Sequence, residues 1–478
     1  MRIGIIGGGL MGLALAQRLG TNGHSVTVFE RAKQVGGLAT WQDFGRYIWD
    51  RFYHVILPSD APLIRFIGDI GLAAELRWGA TRTGYYVDHK FHGLSNNAEF
   101  LKFPPLSLWS KFRLALTILY CARINDWRRL EKVKVEDWLI RTSGRATFEK
   151  FWRPLLLAKL GENYRRVSAV FIWCYIKRLF SARDGSAKKE HMGHVRGGYK
   201  TVFDRLGQLI AARGGDIRLG VEVQNVTPDT GGGVRVRVDG QSEKFDKVIF
   251  TGPVSVLRQV ADPALVAMNE SGRDVEYLGV ICMVLGTRRP LTPYYVLNIG
   301  DERIPFTGVI GMSTVVDPAE TNGLHVTYLP KYVLSDDPLL RAPDEEIRER
   351  FLAGLREMYP DFDHADIETL HINRAVKVQP LQVIDYSRLV PQPRTLHSDF
   401  YVLNTAQFVN NTLNNNEVIR TVNSFFDDYG THFAPQPATA GGDVRSTVAA
   451  AAPAAPAAPA APAAPAEAAR PVFRSTSG

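Results

Sequence analysis

The chain has 478 residues, of which 45% are hydrophobic and 22% charged, so it can hold two or three globular domains with sizeable cores. Lys and Arg outnumber Asp and Glu by 57 to 49, and the net charge of +8 suits an acidic substrate or an anionic membrane surface. A nucleic-acid partner is disfavoured, because the sequence has no Lys/Arg run with interleaved aromatic residues and no DNA-reading motif.

The N-terminal segment, 1–30, predicts a βαβ unit with a dinucleotide-binding turn. An apolar strand, Ile3–Ile6, runs into glycines, a helical stretch follows, and a second strand, Ser25–Phe29, ends at an acidic residue, Glu30. The glycine spacing and the first turn of the helix define the expected phosphate-binding residues: Gly7, Gly9, Leu10, Met11 and Gly12.

Each part of this turn has a physical reason. Gly7 permits a tight strand-to-helix turn, Gly9 leaves room for a pyrophosphate, and Gly12 lets the helix pack close to the sheet. The N–H groups at the helix N-terminus then face the phosphates. Glu30 follows the glycines at close to the spacing expected of this motif, where its carboxylate can accept hydrogen bonds from ribose hydroxyls. The negative charge of Glu30 also repels the 2′-phosphate of NADP, although the positive charges of Arg31 and Lys33 reduce this repulsion.

The segment from Glu30 to Leu38 resembles the extended FAD motif of the flavin amine oxidase superfamily, which includes protoporphyrinogen oxidase, phytoene desaturase and monoamine oxidase. The resemblance implies an α/β fold, in which a Rossmann-type FAD-binding domain is interleaved with a mixed α+β substrate domain. It also implies that FAD is the cofactor, and that Gly36 and Gly37 help to hold its pyrophosphate and ribityl region. The residues expected to bind FAD in this segment are Glu30, Arg31, Gly36, Gly37 and Leu38.

The next segment, Asp50–His54, resembles the part of the family that passes near the flavin ring. His54 is a candidate proton carrier near neutral pH, and Arg51 is a candidate for balancing charge on a reduced flavin or for binding an acidic substrate. A hydrogen-bonded, structural role for His54 remains an equal alternative, because no catalytic partner is evident in the sequence.

Residues 105–190 are predicted to be mainly helical. The apolar stretch Leu106–Tyr120 carries Lys111 and Arg113, and it has three interpretations: a core helix, which is favoured, the wall of a substrate pocket, or a helix in a membrane interface. No window offers the roughly 20 apolar residues of a spanning helix, and no signal peptide is evident. We therefore expect a cytoplasmic protein, or one attached to the inner face of a membrane from one side.

Further segments resemble the same superfamily. Phe151–Leu156 and Lys159–Glu162 are similar to a pattern of the helical substrate domain, and Val195–Tyr199 resembles the return to the FAD domain. The resemblance implies that the backbone at Val223 contacts the adenine. Short strands and helices are predicted at 217–226, 234–238, 247–251, 278–285, 324–329, 344–358 (helix), 400–404 and 414–428 (helix).

Near the last strand the sequence departs from the superfamily. Asn404 and Thr405 stand where the family usually has a glycine followed by an acidic residue that contacts the flavin. Their neutral side chains retain hydrogen-bonding groups for the ribityl chain. We therefore retain both residues as candidate FAD contacts.

The cysteines, the C-terminal tail and the positions of the motifs predict how the chain is organised. The three cysteines are far apart and lack metal or redox spacing, so we expect buried thiols in a reducing cytoplasm and no metal site. From residue 434 the sequence becomes an Ala/Pro-rich tail that should be disordered, and between residues 449 and 466 it has proline at every third position. The predicted FAD-binding domain comprises residues 1–60, 190–260 and 370–430, and the predicted substrate domain comprises 61–189 and 261–369.

The favoured function is an FAD-dependent oxidoreductase that takes hydride from a C–H bond of a small organic, apolar substrate, with oxygen or another acceptor reoxidising the flavin. The absence of a second Rossmann fingerprint and of a C-x-x-C motif argues against a disulfide reductase. Two alternatives stay open. An isomerase resembling UDP-galactopyranose mutase would suit the positive charge, Arg51 and Arg374, and would need a reduced flavin. A non-catalytic FAD-binding protein would show no flavin reduction. The sequence leaves the oligomeric state open.

Overall fold

Strands form three main sheets and two small two-stranded ladders. In the computed structural model, which describes residues 1–181, 190–267 and 273–434, Met1–Ala434 form one compact unit, and the predicted tail from residue 435 lies outside the described residues. The strands, numbered in chain order, are β1 (Arg2–Ile6), β2 (Ser25–Glu30), β3 (Trp41–Asp43), β4 (Ile48–Asp50), β5 (Leu76–Thr81), β6 (Thr83–Val87), β7 (Lys90–Gly93), β8 (Glu190–Val195), β9 (Asp216–Leu219), β10 (Val223–Pro228), β11 (Val234–Val238), β12 (Gln241–Phe245), β13 (Lys247–Phe250), β14 (Tyr277–Thr287), β15 (Val296–Ile299), β16 (Gly308–Gly311), β17 (His325–Leu334), β18 (Ile367–Pro380) and β19 (Phe400–Val402).

Most of the helices lie between residues 97 and 181. Short 3-10 segments and one π-helical segment, Phe148–Trp152, connect several of them. The α-helices are α1 (Leu10–Thr21), α2 (Ala61–Asp69), α3 (Asn97–Lys102), α4 (Leu108–Arg123), α5 (Arg128–Glu131), α6 (Val135–Ser143), α7 (Arg145–Thr147), α8 (Arg153–Leu160), α9 (Ala169–Ser181), α10 (Tyr199–Ala211), α11 (Val254–Val260), α12 (Asp344–Met358) and α13 (Asn415–Tyr429).

The N-terminal βαβ unit forms the centre of a five-stranded parallel sheet with the order β19-β13-β1-β2-β9. Four consecutive residues of β1, Ile3–Ile6, are buried, as expected for a central parallel strand covered on both faces. Apolar residues of α1, α10 and α13 pack into one core with this sheet. Because all five strands run in the same direction, their carboxyl ends share one edge, which is where α/β sheets bind ligands.

A seven-stranded sheet with the order β18-β14-β17-β16-β15-β6-β7 forms the second half of the fold. Strand β14, next to the edge strand β18, is buried along its whole length and pairs antiparallel with β17 and β18. One pair, β6 with β15, is parallel, and a long stretch of chain connects its two strands. Strands β10, β11 and β12 form a separate antiparallel sheet.

A helical layer made mainly of α4, α6, α8 and α9 has its own apolar core. One buried ion pair links this layer to the loop before α2: Arg178 donates to both carboxylate oxygens of Asp60, at 2.9 and 3.0 Å. Asp60 also accepts a hydrogen bond from the backbone N–H of Leu57. Satisfying both charges in this way keeps the desolvation cost of the pair low.

The structure agrees with most predicted elements and differs at a few boundaries. The helix predicted at 344–358 is α12, and the three cysteines are free and buried. The prediction of a single strand over 217–226 is wrong. The chain forms two strands here, β9 and β10, which are separated by a turn at Gly220, where φ is +69°. Residues 370–380, assigned from sequence to the FAD domain, belong to β18 of the seven-stranded sheet. The domain boundaries otherwise stay a prediction.

None of the helices in the described ranges is long and apolar enough to cross a membrane. The interpretation of Leu106–Tyr120 as a core helix is only half right. Ser110, Leu114, Thr117 and Cys121 of α4 are buried, but the opposite face of α4 is exposed.

Candidate functional site

The glycine turn after β1 is closed by contacts that leave no room for a side chain at two positions. Gly7 has φ +116°, and a Cβ there would lie 2.4 Å from Thr251 Oγ1. A Cβ on Gly12 would lie 2.0 Å from the carbonyl oxygen of Gly7. These two glycines therefore allow α1 to begin directly against the end of β1.

Gly9 differs from the other two glycines, because no contact with the described residues requires a glycine at this position. Its φ of −73° suits any residue, and a Cβ would meet only the Cα of Gly37, at 3.9 Å. Within the described residues, no side chain caps the N-terminus of α1, where Leu10 and Met11 form the first turn. The turn thus presents free space beside uncapped backbone N–H groups, the arrangement that binds a phosphate.

A second loop completes the edge of this space. The backbone N–H of Gly36 donates to the carbonyl oxygen of Gly8 at 2.9 Å, and Gly36 has φ +116°. Gly37 is exposed, and its φ is +56°. Leu38 lies in the following 3-10 turn and is half-buried. The structure therefore brings the two predicted glycine segments, around Gly9 and around Gly36, into direct contact.

Glu30 is held beside the same turn by two backbone hydrogen bonds. Its Oε2 accepts from the N–H of Gly8 at 2.7 Å, and its Oε1 accepts from the N–H of Ala32 at 2.8 Å. These bonds fix the carboxylate at the carboxyl edge of the parallel sheet, where the sequence predicted a ribose contact. Arg31 is exposed, and its guanidinium lies 3.7 Å from the carboxylate of Glu222.

The other predicted FAD contacts lie at or near this edge. Val223 is buried in the same apolar cluster as Phe29 of β2. Asn404 follows β19, but its side chain is already used: Nδ2 donates to the carbonyl oxygen of Gly252 and Oδ1 accepts from Ala406 N–H, both at 3.1 Å. Thr405 is half-buried at the start of a 3-10 turn. A ribityl contact from the Asn404 side chain would therefore require these bonds to break.

The Asp50–His54 segment brings a buried carboxyl group close to an imidazole. Asp50 Oδ1 accepts from the N–H of Tyr199 at 2.8 Å. His54 Nδ1 donates to the carbonyl oxygen of Phe52 at 2.9 Å and lies 4.0 Å from Asp50 Oδ2. Burial raises the pKa of Asp50 to about 8 and lowers the pKa of His54 to about 4. At neutral pH both groups are therefore uncharged. The sequence suggested that His54 would titrate near neutral pH, but its lowered pKa places its titration well below that range.

A row of aromatic rings connects this pair to the glycine loops. The rings of His54 and Tyr199 lie 5.3 Å apart, and those of Tyr199 and Phe203 lie 6.4 Å apart. The Phe203 ring in turn lies close to Gly36, where a Cβ would come within 3.1 Å of it. The predicted catalytic and cofactor-binding residues thus belong to one continuous region.

Asp50 predicts a specific pH dependence of stability. Its pKa of about 8 lies above the ordinary 3.8, so the folded chain keeps a proton that the unfolded chain loses, and the contribution of Asp50 to stability falls as pH rises towards 8. His54 acts in the opposite direction only below its ordinary pKa of 6.5. Between about pH 6.5 and 8, Asp50→Asn should therefore remove up to about 2 kcal/mol of pH dependence.

The measurement is thermal or urea unfolding of the wild type and Asp50→Asn, with saturating FAD, across this pH range. The amide oxygen of Asn retains an acceptor for the N–H of Tyr199, so the comparison isolates the proton. Parallel stability curves for the two proteins would show that Asp50 is ionised in the folded state.

Sequence reasoning missed a lysine–tyrosine cluster on the other side of the Asp50–His54 segment. Lys159 Nζ lies 3.3 Å from the centroid of the Tyr332 ring, and the hydroxyl groups of Tyr332 and Tyr53 lie 2.8 Å apart. Burial lowers the pKa of Lys159 to about 7. Lys159 lies in a segment that resembled the superfamily, but only the fold shows that it meets residues from β17 and from the loop after β4.

The comparison with protein families agrees with this geometry. The model for the family described as flavin containing amine oxidoreductase matches residues 10–389, which is most of the chain. The chain belongs to the flavin-containing amine oxidoreductase family. Membership confirms the predicted family and the predicted flavin cofactor, and the family's description is that of flavin-containing oxidoreductases.

Individual relatives are more distant. The chain is 22% identical over 297 residues to 15-cis-phytoene desaturase of Synechococcus elongatus, covering 56% of this chain and 61% of the relative. It is 28% identical over 118 residues to mitochondrial protoporphyrinogen oxidase of Nicotiana tabacum, covering 24% of this chain and 23% of the relative. An oxidoreductase structure from Methanosarcina mazei, 21% identical, aligns with a TM-score of 0.69 over 89% of this chain and 100% of that chain. Less than two thirds of either curated relative is matched, so these comparisons establish the family and fold but not the substrate.

The residues present fit FAD. The open side of Gly9 and the uncapped first turn of α1 would hold the pyrophosphate, and Glu30 would hold the ribose of the adenosine. The described residues contain no group of three metal-ligating side chains placed to hold an ion.

Proposed function

We propose that the protein oxidises an organic substrate at a C–H bond, transferring hydride to FAD, and that oxygen or another acceptor then takes the electrons. The observation that carries this proposal is the space at Gly9, which the fold does not need and a dinucleotide does. FAD supplies the hydride acceptor when it is bound. The protein must orient the substrate, exclude water and accept the accompanying proton.

We assign the proton to Lys159. When hydride leaves a carbon with the C–H electron pair, a proton leaves the neighbouring atom, and the electrons it leaves behind form the new double bond. A neutral amine can accept that proton, and burial brings the pKa of Lys159 to about 7, close to the working pH of a general base. Lys159 sits over the Tyr332 ring, so an aromatic surface adjoins its amine.

The other titratable groups nearby suit this role less well. Burial raises the pKa of Tyr53 and of Tyr332 well above neutrality, so neither is a base at pH 7. Burial keeps His54 neutral, but its pKa of about 4 makes it a weak base. These three side chains therefore serve to shape and orient, while Lys159 moves the proton.

Arg51 has a separate role in the proposal. Its Nε donates to Asn373 Oδ1 at 3.4 Å, and the Asn373 amide donates back to the carbonyl oxygen of Arg51 at 3.1 Å. Burial lowers the pKa of Arg51, yet a guanidinium remains charged at neutral pH. A half-buried, fixed cation would balance negative charge on a reduced flavin or on an acidic substrate.

The isomerase alternative loses one of the two arginines that favoured it. Arg374, which suited a nucleotide-sugar substrate, pairs with Asp344 and donates to the carbonyl oxygen of Ala342 at 2.8 Å. The names of the curated relatives describe a desaturase and an oxidase. Both favour net oxidation of the substrate.

The test is anaerobic titration of the purified, flavin-loaded protein with amines, isoprenoids, porphyrinogens and nucleotide sugars, followed by visible absorbance. We expect at least one C–H donor class to bleach the flavin without added reductant, and oxygen or an artificial acceptor to restore the colour. Turnover of a nucleotide sugar only after chemical reduction would instead identify an isomerase. Absence of bleaching across the panel would favour the non-catalytic alternative.

A further inference from the structure

The outer face of α4 concentrates exposed apolar side chains to a degree found nowhere else in the described residues. Thirteen large hydrophobic residues are exposed in the described part of the chain, and six of them lie on α4. A seventh, Leu101, lies on the adjoining α3 and is also strongly exposed. We call the set the α4 face: Leu101, Leu108, Trp109, Phe112, Leu116, Leu119 and Tyr120.

The α4 face is a continuous stripe. Its positions on the helix recur at intervals of three and four residues, which places them on one side of an α-helix. The rings of Trp109 and Phe112 stack with centroids 5.6 Å apart. On α4 the stripe runs from Leu108 to Tyr120, which is about 20 Å at 1.5 Å for each residue.

The stripe is rigidly presented, because the opposite side of α4 is anchored in the protein. Trp173 Nε1 on α9 donates to the carbonyl oxygen of Cys121 at 3.1 Å. Lys111 is buried, with its Nζ donating to the carbonyl oxygen of Leu101 at 2.6 Å. The helix therefore cannot roll its apolar face inward without breaking these bonds.

The charges around the α4 face indicate which kind of surface could bind to it. Helix α4 contains no acidic residue. Exposed cations flank its apolar positions along the chain: Lys102 precedes them, and Arg123, Arg128 and Arg129 follow them. The exposed Asp126 lies at the same end and is 3.6 Å from Arg129. A second copy of this face would bring like charges together. An anionic surface with an apolar interior would satisfy both the cations and the stripe.

We propose that the α4 face is a membrane-binding surface, which inserts its apolar side chains into the headgroup region of an anionic lipid leaflet while the flanking cations contact lipid phosphates. Trp109 and Tyr120 have the amphipathic rings that favour this depth. The contact is one-sided, in keeping with helices too short and too polar to span a bilayer in the described ranges. This inference is independent of the oxidation chemistry proposed above.

The test is co-sedimentation of the full-length holoprotein with two kinds of vesicle, phosphatidylcholine alone and phosphatidylcholine with an equal amount of phosphatidylglycerol. We expect binding to the anionic vesicles that weakens with added salt. The double variant Trp109→Gln/Phe112→Gln should lose at least about tenfold in binding. The variant Arg123→Gln/Arg128→Gln, which removes two cations that do not pair with Asp126, should lose about fivefold for each cation removed, on anionic vesicles only.

Leu396→Gln is the matched control, because Leu396 is 65% exposed, against 66% for Trp109, and lies far along the chain from α4. It should bind as the wild type does. Flavin absorbance and thermal unfolding check that every variant is folded. Failure of the wild type to bind either vesicle would overturn the proposal, as would equal binding by the Trp109→Gln/Phe112→Gln variant. A concentration-dependent dimer that the same double variant abolishes would assign the face to a second copy instead.

Discussion

Gly9→Ala is expected to fold like the wild type and to bind FAD at least about tenfold more weakly, a loss of about 1.4 kcal/mol or more. The backbone at Gly9 is in a conformation open to any residue, and the new methyl group would meet only the Cα of Gly37, at 3.9 Å. The methyl group would instead occupy the space where the pyrophosphate approaches the backbone. Titration of the apoprotein with FAD, followed by flavin fluorescence, measures the effect.

Two glycines on the same helix make this prediction specific. Gly20→Ala, at the far end of α1, places its Cβ at an ordinary 3.5 Å from Arg213 and should stabilise the protein by about 0.5–1 kcal/mol without changing FAD affinity. Gly12→Ala would collide with the backbone of Gly7 and should unfold the region. If Gly9→Ala bound FAD as the wild type does, the diphosphate would have to lie elsewhere.

The fold could be predicted from sequence where short-range patterns determine it. The glycine spacing from Gly7 to Gly12 and the acidic end of β2 are local features, and the βαβ unit was correctly placed from them. The periodicity of α12 gave both of its ends. The seven-stranded sheet could not be predicted in the same way, because its β6–β15 pairing joins segments that lie far apart along the chain.

The same distinction applies to the candidate site, where some contacts follow from the local sequence and others depend on the fold. Glu30 and Gly36 lie close to the first glycine along the chain, and their contacts with Gly8 follow from the local motif. The pKa values of Asp50 and Lys159 depend on burial by distant segments, which no local pattern encodes. Resemblance of its segment to the family suggested His54 as the proton carrier, but burial in the fold lowers its pKa to about 4 and so suppresses its basicity.

Lys159→Met is expected to slow flavin reduction by the substrate by about 100-fold or more, the usual contribution of a positioned general base. Because the amine must be neutral to accept a proton, the wild-type rate should rise with pH through about 7, the pKa that burial gives Lys159. In Lys159→Met this rise should disappear. The methionine keeps an apolar stem over Tyr332, so neither the melting temperature nor the FAD affinity should fall.

Lys177→Met provides the matched control. Lys177 also lies over an aromatic ring, 4.8 Å from the centroid of Trp173, but it is exposed on α9. Its replacement should leave the rate and the pH profile unchanged. Stopped-flow absorbance under anaerobic conditions, with the substrate identified by the titration panel, measures all three proteins. A Lys159→Met variant that kept the wild-type pH profile would exclude the amine as the base and assign the role to another group that titrates in the same range, such as Asp50, whose pKa burial raises to about 8.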